Sequence, residues 1–113
     1  MKIDFADKEL EKCANNDSYR LRKMGKIRAK LYKQRLDEIF SADTLEDLRN
    51  LPGNYHELTN NRKGQWAVNL EQPYRLIFSP QSSEIPIDKS GKYIWNEIVD
   101  VIMIEIINYH KEK

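Results

Sequence analysis

Hydrophobic positions recur with two different periods along this chain, and the period changes near Pro52. Before it, apolar residues fall every three or four positions, the spacing of one helix face. After it they fall at every second position, the spacing of a half-buried strand. Ile3-Asp4-Phe5 reads as a short first strand. Asp7 then offers a side-chain cap to a short helix that turns Leu10, Cys13 and Ala14 inward. Asn15-Asn16-Asp17-Ser18 is a turn, with Asp17 or Ser18 expected to cap a long helix over residues 19–40. Leu21, Met24, Ile27, Leu31, Ile39 and Phe40 form its expected apolar stripe. Gly25 is expected to weaken that helix without breaking it. At ~1.5 Å per residue the helix is a rod of roughly 33 Å.

Ser41-Ala42-Asp43-Thr44 ends the long helix and starts a short one with Leu45 and Leu48 inward, stopped by Leu51-Pro52-Gly53. Residues 55–58 predict a strand, and residues 59–64 a polar loop ending in Arg62-Lys63-Gly64. Over residues 65–70, Trp66, Val68 and Leu70 share one face, with Ala67 and Asn69 on the other. Glu71-Gln72-Pro73 turns the chain. Over residues 74–79, Tyr74, Leu76 and Phe78 share one face, with Arg75, Ile77 and Ser79 on the other. Residues 80–92 contain two prolines, a glycine and no period, which predicts a long, mobile loop. Residues 98–108 are rich in Ile and Val on both faces and predict a strand inside the sheet. Helices followed by a run of antiparallel strands predict an α+β fold in a single domain over residues 1–113. N-terminal helices pack on one face of a small, twisted, mainly antiparallel sheet.

Charge sharpens this picture. The net charge is only +1, too balanced to imply nucleic-acid binding by itself. Its distribution is uneven. Eight bases lie between Ser18 and Leu36 with no acid among them: Arg20, Arg22, Lys23, Lys26, Arg28, Lys30, Lys33 and Arg35. Five acids follow between Asp37 and Asp47. All eight bases are expected on the outer face of the long helix. A single cysteine, Cys13, excludes an intramolecular disulfide and reads as a small buried thiol. No apolar run reaches the ~20 residues of a membrane span, and the N-terminus has no apolar signal core, so a cytoplasmic protein is expected.

The chemistry-bearing residues are few. His56 lies at the start of the first strand after Pro52-Gly53, His110 just past the last strand, and Arg75 on a hairpin strand between them. If the strand ends meet, the site holds two imidazoles, an arginine and the bases Arg62 and Lys63. That set suits RNA cleavage by the neighbouring 2′-hydroxyl. The reaction needs a base for the hydroxyl proton, cations for the phosphate and an acid for the leaving oxygen. It calls for no metal and no cofactor. Trp66 and the evenly spaced aromatics are expected in the core and not in a base-stacking platform.

Two stretches resemble a known family. Leu48-Arg49-Asn50-Leu51-Pro52-Gly53-Asn54-Tyr55-His56-Glu57-Leu58 is followed by Asn61-Arg62-Lys63-Gly64-Gln65-Trp66-Ala67-Val68 and Tyr74-Arg75-Leu76-Ile77-Phe78. This run resembles the middle of HigB-like toxins in the RelE/ParE superfamily. The ending Ile104-Glu105-Ile106-Ile107-Asn108-Tyr109-His110 is similar to that family's terminal strand. The resemblance implies the toxin of a type II toxin–antitoxin pair that enters the ribosomal A site and cuts the messenger RNA there. It also implies a helix-turn-helix antitoxin as partner and no membrane association. By position, His56 and His110 match the family's active-site histidines, Tyr109 the tyrosine before the last of them, Arg75 a phosphate-contacting arginine, and Lys63 a basic loop residue. Asn108 stands where the family usually has aspartate, and Asn69 where many members have arginine. Lys26, Lys30 and Lys33 on the basic helix are expected to contact RNA phosphates. The same fold also carries ParE-like gyrase inhibitors and catalytically degenerate binders, which are the alternative reading.

Overall fold

The computed structural model describes residues 1–112. Strand β1 (Lys2–Phe5) leads into helices α1 (Lys8–Asn15) and α2 (Asp17–Ser41). Four more strands follow: β2 (His56–Glu57), β3 (Trp66–Asn69), β4 (Tyr74–Pro80) and β5 (Asp100–Asn108). A short final helix, α3, covers Tyr109–Glu112, and single-turn helical segments occupy Glu46–Asn50, Asn60–Arg62 and Trp95–Glu97.

The strands form one sheet in the order β1-β5-β4-β3-β2. β1 runs parallel to β5, with Ile3 opposite Val101, while the other three pairings are antiparallel. The apolar strand β5 therefore lies inside the sheet, as its two-faced composition predicts. A register shift between Ile77 and Phe78 kinks the β4–β5 ladder.

Trp66, Val68, Leu76, Phe78, Val101 and Met103 face the helices and are fully buried. Tyr32, Leu36 and Ile39 of α2, with Leu10 and Cys13 of α1, close over them. This is the α+β layer expected from the change of period. Burial, with the Glu9 carboxylate, pushes the Cys13 thiol upward, which keeps it protonated.

The structure departs from the sequence pattern at several places. Gly25 does break α2: its φ of 77° and ψ of 168° lie outside the helical region, so two helical arms meet at a kink and there is no straight rod. The kink resets the buried face. Beyond it the inward residues are Ala29, Tyr32, Arg35, Leu36 and Ile39, while Leu21, Ile27 and Phe40 are 52%, 62% and 70% exposed. The eight bases are not all on the outer face. Arg20 and Arg35 are buried, and Arg28 is half-buried against Glu71 at 3.0 Å with its guanidinium 3.8 Å from the Tyr74 ring. Each of the three has anionic or carbonyl partners, which is what lets a guanidinium leave water. Asn16 caps α2, its side chain accepting from the Tyr19 amide, in place of Asp17 or Ser18.

The segment after β4 has more organisation than a featureless loop. Ile87 bridges Tyr93 around a turn in which the Asp88 carboxylate accepts from the Ser90 and Lys92 amides. Beyond the turn, Trp95 meets Trp66 edge-on at 5.5 Å and donates to Glu57 at 3.1 Å. The aromatic contact and the hydrogen bond fasten this connection to the β2 side of the sheet.

Candidate functional site

Strand alternation decides which side chains share the sheet face opposite the helices. Tyr55 is buried in the core, so His56 points the other way. His56 is opposite Ala67, Ala67 opposite Ile77, and Ile77 opposite Glu105. Two residues along, Asn69 is opposite Arg75 and Arg75 opposite Ile107. His56, Asn69, Arg75 and Glu105 therefore lie on this one face.

The C-terminal end of β5 completes one end of it. The Arg75 guanidinium lies 3.7 Å from the centre of the Tyr109 ring, a stacked cation–π contact. The His110 ring centre is 6.1 Å from that of Tyr109. Asn108 is opposite Tyr74 on the helix-facing side, and its Oδ1 accepts from the His110 amide at 3.1 Å. It starts α3 as an N-cap and so sets where Tyr109 and His110 project. The Tyr109 amide also donates to the Pro73 carbonyl at 2.8 Å, tying α3 to the β3–β4 turn.

The structure thus brings together Arg75, Tyr109 and His110. His56 shares their face but stands apart. It is two strands and two residues from Arg75, roughly 12 Å between backbones at ~4.8 Å per strand and ~3.4 Å per residue. Its Nδ1 is 2.7 Å from the Asn54 carbonyl oxygen. A carbonyl only accepts, so in the neutral ring this contact calls for the hydrogen on Nδ1 and leaves Nε2 as the accepting nitrogen.

The basic loop residues divide. Arg62 turns over the sheet face, donating to Gln65 at 3.0 Å and to Glu105 at 3.3 Å. That link reaches from the segment before β3 to β5, where Glu105 is the cross-strand partner of Ile77, which is fully buried although it faces away from the helices. Lys63 is exposed, and its ammonium lies 5.6 Å from the Tyr93 ring, toward the β2 edge. Lys26, Lys30 and Lys33 are exposed on the helical layer, on the other side of the sheet from Arg75. With Leu21 they line a groove of about 300 Å³ beside the Gly25 kink. Among the described residues, no three His, Cys, Asp or Glu side chains gather as a metal site.

One residue of this face, Glu105, was missed by sequence reasoning. Glu105 is the partner of Arg62; its signal is a single acid interrupting the apolar run from Val101 to Ile107. Asn69, singled out in the sequence as a departure from the family, carries a buried side-chain oxygen with no hydrogen-bond partner, and the register places it beside Arg75.

The family model of the RelE-like toxin of type II toxin–antitoxin system HigB matches residues 3–88. The chain belongs to the HigB-like toxin family. It is the toxin of a type II toxin–antitoxin module, and an antitoxin is its partner. The match includes His56 and Arg75, while Asn108, Tyr109 and His110 lie beyond it. A comparison with curated proteins finds no match. No helix among the described residues is long and apolar enough to cross a membrane.

Proposed function

We propose that this toxin is a ribosome-dependent endonuclease that cuts messenger RNA in the A site, without metal or cofactor. The observation that carries this reading is the Arg75–Tyr109–His110 cluster on the sheet face away from the helices. Cleavage by an adjacent 2′-hydroxyl needs little more than such a set. Arg75 is permanently charged and planar, suited to a phosphate whose charge grows as the bond to the 2′-oxygen forms. Tyr109 holds that guanidinium in one plane. His110 and His56 supply ring nitrogens for proton transfer: one takes the 2′-hydroxyl proton, the other returns a proton to the leaving 5′-oxygen. The products are a 2′,3′-cyclic phosphate and a 5′-hydroxyl. In this reading Lys63 steadies flanking phosphates, while Arg62 acts through the Glu105 link that shapes the face.

Lys26, Lys30 and Lys33 serve docking. On the helical layer they meet ribosomal RNA phosphates and set position without reading sequence. The partner antitoxin is a helix-turn-helix protein, and the toxin works in the cytoplasm as a single domain.

The test is single-turnover cleavage of an A-site codon on programmed ribosomes. Arg75→Ala and His110→Ala should each slow it by about 10²-fold or more. One observation favours a second reading, inhibition of gyrase by binding alone: Asn108 supplies no charge where the family has an acid. Growth arrest that persists in a cleavage-dead His110→Ala variant would select it.

A further inference from the structure

Arg35 carries a charged guanidinium, yet it is 6% exposed and sits on α2, beneath the sheet. Its partners explain why the chain keeps it there. Nε donates to the Asn69 carbonyl at 2.9 Å, and Nη1 to Glu38 Oε1 at 3.2 Å and to the Pro52 carbonyl at 3.5 Å. Glu38 Oε1 also accepts from the Tyr55 hydroxyl at 2.8 Å. The guanidinium lies flat against Gly53, where an added Cβ would come within 2.7 Å of Cζ. Gly53 has φ of 107° and Asn54 φ of 58°, so two consecutive residues hold left-handed conformations over this one side chain. The Asn69 amide closes the ring by donating to the Gly53 carbonyl at 2.8 Å.

The two segments joined this way are the ones that carry the candidate chemistry. The turn at 51–55 ends in the Asn54 carbonyl that meets His56 Nδ1 at 2.7 Å. Asn69, at the other end, is the cross-strand partner of Arg75. We infer that Arg35 is a positioning residue that fixes the ring of His56, holding Nδ1 as the protonated nitrogen and presenting Nε2 as the base for the 2′-hydroxyl. The inference rests on reading the sheet face away from the helices as the RNA site. The causal chain runs from guanidinium to turn to carbonyl to ring. A lysine at 35 keeps the charge and loses the fork that bonds Asn69 and Glu38 together.

The experiment reads the His56 ring directly, by ¹⁵N chemical shifts in wild type, Arg35→Lys and Gly53→Ala. The glycine variant displaces the same turn from its other side while keeping the arginine. Wild type should show hydrogen on Nδ1, and the variants a mixture of the two tautomers. Single-turnover cleavage should fall by about tenfold to a hundredfold in the folded variant, with KM changed by less than about twofold, the pattern of a misplaced reacting group. A purely structural arginine would lower the melting temperature and leave tautomer and rate alone, and that result overturns the proposal. So does a wild-type ring with hydrogen on Nε2, which needs no variant to fold. If wild type cleaves no RNA, the nuclease reading fails separately, while the tautomer shift still decides whether Arg35 sets the ring.

Discussion

Tyr32 and Tyr55 are the two phenols sealed in the core, 0% and 4% exposed, and alkaline solution should find them. Burial pushes both hydroxyls far above the ordinary tyrosine value; for Tyr55 the bond to the Glu38 carboxylate adds to the effect. In the unfolded chain each ionises near ~10. A group whose folded value is raised contributes stability that is fully present below the unfolded value. It is lost as pH climbs through the folded one. Between about pH 10 and 11 the unfolded chain gives up most of a proton per tyrosine while the native chain gives up none, which costs about 1 kcal/mol for each and about 2 kcal/mol for the pair. The perturbation is the Tyr32→Phe/Tyr55→Phe double substitution. Removing the Tyr32 bond to the Leu10 carbonyl (2.8 Å) and the Tyr55 bond to Glu38 lowers stability at all pH, so the slope is the observable. Urea unfolding at several pH values measures it, and every other titrating group stays common to the two proteins. Equal slopes above about pH 10 in both proteins would refute the claim that these hydroxyls stay protonated in the fold.

Four further outcomes follow from particular contacts. Gly25→Ala should destabilise by about 1–3 kcal/mol, because that backbone region is nearly closed to side chains; a thermal melt decides, since in an unbroken helix the same change would stabilise. Arg75→Lys keeps the charge but loses the flat stack on Tyr109, and should slow cleavage by about tenfold. Reversing Lys26, Lys30 and Lys33 to glutamate should abolish co-sedimentation with ribosomes while leaving the circular dichroism spectrum unchanged; unchanged pelleting and salt dependence would remove the helix from RNA docking. Asn108→Asp retains the cap on the His110 amide, adds a negative charge, and should accelerate single-turnover cleavage somewhere between about pH 6 and 8.

The sheet was readable because its strands present one buried face. Trp66-Val68 and Leu76-Phe78 announce themselves by alternation, and Ile-rich β5 by its lack of it. Ala67 and Ile77 are buried on the second face too, where Arg62 and Glu105 pair although they are 43 residues apart and leave no periodic trace. The helix was harder. Counting three and four across Gly25 assumes one continuous axis, and a positive φ there rotates everything beyond it. Leu21 and Ile27 then fall outside while Arg35 falls inside. Short-range pairs such as Asp17–Arg20 and Arg35–Glu38 were visible in the sequence, yet exposed helices use the same spacing. At the candidate site, His56, Arg75, Tyr109 and His110 were all legible as residue types. Their division, with three clustered and His56 two strands away, depends on register and on the Asn108 cap.

The most direct test of cleavage by the neighbouring hydroxyl removes one oxygen. A messenger RNA carrying a single 2′-deoxy nucleotide at the cut position of the A-site codon is placed on the ribosome and mixed with the toxin. No cleavage is expected at that position, and with the ribose restored the expected products end in a 2′,3′-cyclic phosphate and a 5′-hydroxyl. Cleavage of the deoxy message at the same position and rate would contradict attack by the neighbouring hydroxyl.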